Sequence, residues 1–245
     1  MDHSVDKVKQ QKKVFSALEN GPRMIDINVI TDNAAIINDE IAWITGILVS
    51  RIAKFEEEGF ETLYFSETLL PDISDKNSAY ADLVNNYELS PSERLLLICS
   101  LIPHISPETF TSKIRDGQTG LKIKYPKLGG YFDTTFTNFV PTLQTILFLL
   151  AGDDMSAMLY NHLFFIEKSI LIQEQIITLG TVSTSENDTN MRNHAIKQAP
   201  EFVEYLISGK KPRPDFGRAF PATLITTGLD WDQLVVKPTT LTELQ

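Results

Sequence analysis

Between Asp32 and Glu58 the apolar residues Ile37, Ile41, Ile44, Leu48, Ile52 and Phe55 recur at spacings of three and four, the period of one face of an α-helix. Ile36, Trp43 and Ile47 widen the stripe, which predicts one long amphipathic helix packed against more than one partner, and Gly59 stands where a left-handed C-terminal cap belongs. A shorter helix is predicted over Lys76–Tyr87, after a loop marked by Pro71 and Asp72. Ser90-Pro91-Ser92-Glu93 then combines a hydroxyl N-cap, proline at the first helical position and glutamate at the third, the capping-box arrangement. Leu95, Leu96, Leu97, Ile98, Leu101 and Ile102 surround most of the helix that follows, so it should be buried on all sides, with Pro103 as its stop. Ser106 and Pro107 restart a second helix towards Arg115, and two short helices joined by a proline-bearing turn suit a helix-turn-helix core.

Asp116–Asp133 holds Gly117, Gly120, Gly129 and Gly130 among basic and aromatic residues without periodicity and reads as an exposed loop. Pro141 opens a third helix through Leu143, Ile146, Leu147 and Leu150 to Gly152. Asp153 or Asp154 caps another that carries Met155, Met158, Leu159, Leu163 and Phe164. Ile170, Leu171, Ile172, Ile176, Ile177 and Leu179 read as a strand bounded by Gly180, and after the polar loop Thr181–Asn190 a partner strand near Arg192–Lys197 completes a small wing. Pro200 begins a short helix that Gly209 ends. The prolines of Lys210–Gln245 predict an extended segment, and Thr240 caps a helix with about one turn left before Gln245, which suggests that the chain continues. The expected fold is mainly α with a small β wing. It divides into a flexible segment over 1–30, a helical region over 31–88, a domain over 89–209 and a linker over 210–245.

Apolar residues at 42% and charged residues at 22% match a folded globular chain of 245 residues rather than a disordered one. The longest apolar run, Ile146–Ala151, is far too short for a membrane span, and the first twenty residues lack the apolar core of a signal peptide, so a cytoplasmic protein is expected. The net charge of −10 disfavours a nucleic-acid-coating surface. Nearly all the excess acid lies between Thr31 and Glu88, where twelve acids face only Arg51, Lys54 and Lys76. Lys113, Arg115, Lys122, Lys124 and Lys127 form a basic stretch of opposite sign, a candidate interaction loop, with a second cluster at Lys210, Lys211 and Arg213.

Candidate chemistry is sparse. The chain has no glycine-rich loop ending in Gly-Lys-Ser or Gly-Lys-Thr, no Gly-x-Ser-x-Gly, and no cysteine or carboxylate at ligand spacing from His3, His104, His162 or His194. Cys99 sits in an apolar helix, where a thiol is inert. No catalytic, cofactor-binding or metal-binding residue is therefore expected. A nucleic-acid-reading helix-turn-helix would need cations on its recognition helix, and Pro141–Ala151, the expected third helix, has neither Lys nor Arg.

Three stretches together resemble the N-terminal region of AAA+ ATPases associated with bacterial contractile injection systems, the phage-tail-like devices. They are Leu89–Ile105; Gly129–Phe132 with Pro141–Asp154; and Phe220–Val236, which contains Trp231 and Asp232. The likeness covers about 89–237 and departs at Gln233, where the family commonly carries an acid. It implies a winged-helix-like domain over the first two stretches and, around Phe220 and Trp231, a linker that precedes an ATPase module absent from this chain. It further implies that ATP and magnesium belong to a longer parent assembled as a ring of six. Partners would then be the parent's own motor and the sheath, tail or baseplate proteins. The implied role is a non-catalytic adaptor; the alternative is a stand-alone winged-helix regulator that binds nucleic acid.

Overall fold

A computed structural model describes residues 27–56, 65, 68–73, 78–115, 124–180 and 190–209, with the side chains of the first helix described over 29–53. All lie within the first of two compact units, Met1–Pro212; the second, Arg213–Gln245, falls outside the described residues. So do Gly59, the basic residue Lys122, the polar loop 181–189, the expected flexible segment up to residue 26 and the linker from 210 onward. Among the described residues the chain is mainly helical with two small antiparallel sheets.

Helix α1 spans Ile27–Glu56, five residues earlier than the hydrophobic period predicts. Tertiary hydrogen bonds anchor its N-terminal part. Buried Asn33 donates from Nδ2 to the Leu206 carbonyl of the last described helix, and its Oδ1 accepts from the Tyr80 amide at 3.2 Å. Ile36, Ile44, Ile47 and Leu48 are buried, and α1 touches five other helices, as the wide stripe requires. Helix α2, Ala79–Asn86, starts at Ser78, whose Oγ accepts from the Ala81 amide at 3.0 Å.

Helix α3, Pro91–Ile105, forms the centre. Every residue from Glu93 to Ile102 is buried, including Cys99, whose thiol burial pushes well above its ordinary range. The capping box forms as expected: Ser90 Oγ accepts from the Glu93 amide, and Glu93 Oε2 accepts from the Ser90 amide at 3.1 Å and from Ser90 Oγ at 2.8 Å. Arg94 pairs with buried Glu40 of α1 and donates to the Pro71 carbonyl at 2.9 Å. Burial pushes the Glu40 carboxyl up, opposed by Arg94 and by the neighbouring Tyr80 hydroxyl. Pro103 does not stop α3. In the last turn a proline removes only one backbone hydrogen bond, and continuing the helix places Ile105 against the core.

Helix α4, Glu108–Ile114, leads into a second difference from expectation. Much of the segment read as an exposed loop is anchored: Tyr125 and Leu128 are buried, and β1, Tyr131–Phe132, pairs with β2, Phe139–Val140. The rings of Phe110, Phe139 and Phe132 pack edge to face at 6.0 and 5.9 Å and hold these two-residue strands. Gly130, at φ 79°, is required here, because a Cβ would lie 2.3 Å from the Phe139 ring.

Helix α5, Leu143–Ala151, begins at Thr142 rather than at Pro141. Thr142 and Thr145 cap each other, which leaves Pro141 outside the helix. Helix α6 follows at Met155–Glu167, then α7, a single turn over Ile170–Gln173, then β3, Ile177–Gly180, and β4, Ala195–Gln198. The wing strands pair in register from Ile177↔Gln198 to Gly180↔Ala195. Segment 141–143 adds to the free edge of β4: the Leu143 amide donates to the His194 carbonyl at 3.0 Å and the Ile196 amide to the Pro141 carbonyl at 3.2 Å. Helix α8, Pro200–Ser208, ends at Gly209 in the left-handed conformation, φ 73°.

The apolar run Ile170–Ile172 is thus helical, not the strand its composition predicts. Its first amide is captured by a carboxylate: Glu93 Oε1 accepts from the Ile170 amide at 2.9 Å and from Ser169 Oγ at 3.1 Å. One buried side chain therefore starts two helices. Replacing Glu93 with Ala should cost about 2–4 kcal/mol, because buried donors on both helices lose a charged acceptor. Gln should cost less, retaining one acceptor oxygen; urea denaturation of the two variants measures the difference.

Candidate interaction surface

The expected basic loop does not form one free cationic patch among the described residues. Lys113 is exposed in the last turn of α4. Arg115 is half-buried; its guanidinium donates to the Thr137 carbonyl and lies 5.4 Å from the Phe132 ring centroid. It braces the β1–β2 hairpin. The Lys124 ammonium stands 5.2 Å over the Tyr125 ring, and Lys127 pairs with Asp153 at 2.8 Å while its carbonyl accepts from Gln144. Lys122, Phe220 and Trp231 lie outside the described residues. No group of three or more His, Cys, Asp or Glu residues arranged to hold a metal ion occurs among the described residues.

A different surface emerges at the turn between α5 and α6. Gly152, at φ 59°, ends α5, and Arg51 of α1 donates to the Leu149 and Leu150 carbonyls there at 3.1 and 3.0 Å. That side chain serves as the C-terminal cap, with its positive charge at the negative end of the helix dipole. Asp154 Oδ1 then accepts from the amides of Ser156 and Ala157 at 2.8 and 3.1 Å and starts α6. A three-residue turn so joins two helices that pack on one another.

Helix α6 is apolar on both sides. Phe165 is fully buried, its ring against Phe164, and Met158 and Phe164 rest on the core. The opposite face carries Met155, Ser156, Leu159, Tyr160, Leu163 and Glu167, all exposed. Met155 is 61% exposed, Leu159 49%, Tyr160 70% and Leu163 56%, so four large side chains of a well-formed helix stand in water. From Met155 to Ile166 there is no Asp, Glu, Lys or Arg. Burial and the nearby charge of Arg192 pull the His162 imidazole below its ordinary pKa, which leaves it neutral near pH 7. From Met155 to Ile166 the helix therefore carries no charge of its own; Glu167 lies at its C-terminal end, and the Arg192 guanidinium donates to Met158 Sδ at 3.6 Å on its flank.

Periodicity assigned Met155, Leu159 and Leu163 to a helix but not to its outer side, since Met158, Phe164 and Phe165 supply an equally apolar inner one. The signal that marks the outer face is the run of twelve residues without a charge. No family model, curated protein or solved structure matches the chain.

Two measurements follow from this placement of side chains. Arg115→Ala should lower stability by about 1–2 kcal/mol through loss of the hairpin brace, whereas Lys113→Ala should stay within about 0.5 kcal/mol of the parent; equal effects would contradict the bracing role. Cys99 should react with a thiol reagent only as fast as the protein unfolds, because its thiolate is disfavoured and enclosed.

Proposed function

We propose that residues 89–209 form a winged-helix-like domain of the adaptor class, one that contacts proteins rather than nucleic acid. The particular role we infer is the N-terminal adaptor of an AAA+ ATPase that assists assembly or remodelling of a contractile injection apparatus. The order helix α3, helix α4, the β1–β2 hairpin, edge segment 141–143, helix α5, short turn, helix α6, the single turn α7, strand β3, strand β4 supports the domain class, with α4, the hairpin and α7 as additions to its helices and wing. On this reading the helix-turn-helix is the α5–α6 pair, not the α3–α4 pair suggested by Pro103 and Pro107.

The observation that carries the protein-binding reading is the outer face of α6. In a helix-turn-helix the second helix enters the major groove, held by cations on phosphates and by polar side chains on base edges. Here that helix presents Met155, Leu159, Tyr160 and Leu163 and has no Lys or Arg. The side chains suit an apolar protein surface and offer phosphate nothing. The three stretches resembling injection-system ATPases supply the identity of the motor; ATP hydrolysis, magnesium and the ring of six belong to the parent and not to these residues.

Two assays separate the readings. Labelled duplex DNA mixed with the 245-residue chain at about 50 mM salt should give no salt-sensitive binding, since phosphate contacts would produce a steep salt dependence. Micromolar binding that collapses as salt rises would favour the nucleic-acid regulator. Tagged parent protein, purified from cells that make the apparatus, should retain sheath, tail or baseplate components; intact parent that retains none would overturn the adaptor role.

A further inference from the structure

The outer face of α6 has the spacing and size to pair with itself. Met155, Leu159 and Leu163 lie at i, i+4 and i+8, a straight stripe with Leu159 at its midpoint and Tyr160 alongside. Their exposed portions, with Tyr160, amount to on the order of 500 Å² of apolar surface, the size of patch that a soluble monomer seldom leaves without a role. We propose that this face binds a second copy of the chain, with the two α6 helices antiparallel across a two-fold axis near Leu159.

Three features favour a second copy as the occupant. First, the stripe reads alike in both directions: turned end for end, Met155 meets Leu163 of the second copy and Leu159 meets its own equivalent, as an isologous contact demands. Second, the antiparallel arrangement sets the dipole of each helix against the opposite end of the other. It brings Lys168 and Glu167 of the second copy to the end where Lys127, Asp153 and Asp154 lie, a mixed-sign cluster rather than a like-charged one. Helix α6 contributes no charge at the centre; the nearest cation is Arg192, beside Met158 on the flank of the stripe rather than within it. Third, two such patches bury about 1,000 Å² together, at the threshold of a specific interface and well below that of an obligate dimer. A reversible dimer is the form this area supports.

The pairing assigns a second copy to the face that carries the protein-binding reading; it is read by the association state of the chain alone, whereas the adaptor role is read by retention of apparatus components, so the failure of one is distinguishable from the failure of the other. Sedimentation of the 245-residue chain over roughly 1–500 μM should give a monomer–dimer equilibrium with a dissociation constant of about 1–100 μM, as expected for a contact of this size. Leu159→Glu should weaken it at least tenfold while leaving the far-UV circular dichroism unchanged, because Leu159 faces out, and the thermal midpoint of the unsubstituted chain, but not of the variant, should rise with protein concentration. Leu159→Cys should form an intermolecular disulfide under mild oxidation, with buried Cys99 giving no background. A monomer at every concentration would overturn the proposal. So would a dimer that Leu159→Glu leaves intact, or a folded Leu159→Cys dimer that does not cross-link.

Discussion

A helix with no solvent face imposes its needs on everything around it. Leu95, Leu96, Leu97, Ile98, Cys99 and Leu101 of α3 are fully buried, and no single partner can cover so wide an apolar surface. Helix α1, helix α5 and strand β4 share the task. The apolar stripe on α1 is wide because that helix covers α3 while also meeting α2, α4, α5 and α8. The same constraint governs polar groups. Burying the first turn of α3 takes Glu93 and Arg94 out of water, and each must find partners at once. Glu93 finds Ser90 on its own helix and Ser169 with Ile170 beyond α6, while Arg94 finds Glu40 and the Pro71 carbonyl. Two buried charges thereby tie distant segments to the central helix.

Polar anchoring of helix ends recurs through the structure, and it links the core to the outer surface. Arg51, from the C-terminal part of α1, closes the end of α5 and lies where a side chain on Gly152 would collide, its nearest guanidinium nitrogen 2.8 Å from a Cβ placed there. The position of the turn that launches α6 is therefore set by a side chain from a helix about a hundred residues earlier in the chain. Asp154 fixes where the next helix starts. Only Phe165 on α6 is fully buried, so its orientation follows from this turn together with the Phe164–Phe165 ring contact.

Local signals in the sequence were informative where the structure satisfies them locally. The Ser90–Glu93 capping box, the Gly209 terminator and the period of α1 all involve residues within a few positions of each other. Expectations failed where a partner far along the chain decides the outcome. Pro103 is outweighed by the packing of Ile105, and the β-branched run at Ile170 becomes helical because a carboxylate 77 positions away captures its first amide. Strands β1 and β2 are two residues each, too short for alternation to register. They depend on contacts among Phe110, Phe132 and Phe139, which only the fold brings together. Arg115 counted as one of five loop cations by composition, yet its guanidinium is committed to a carbonyl and a ring.

The outer face of α6 was hidden for a different reason. An amphipathic helix announces its exposed side by its charges, and α6 has none between Asp154 and Glu167. A helix apolar on every side is normally one that is buried on every side, as α3 is. Both helices have that pattern, but one is enclosed and the other stands at the surface with four large apolar residues in water. The distinction is informative because the two helices differ in what would be lost by adding charge. On α3, a charge would have to be buried without a partner, at a cost of several kcal/mol. On the outer face of α6, Lys or Glu at positions 155, 159 or 163 would cost an isolated monomer almost nothing and would improve its solubility. Folding of one chain therefore does not require those residues to be apolar, whereas contact with another protein surface does.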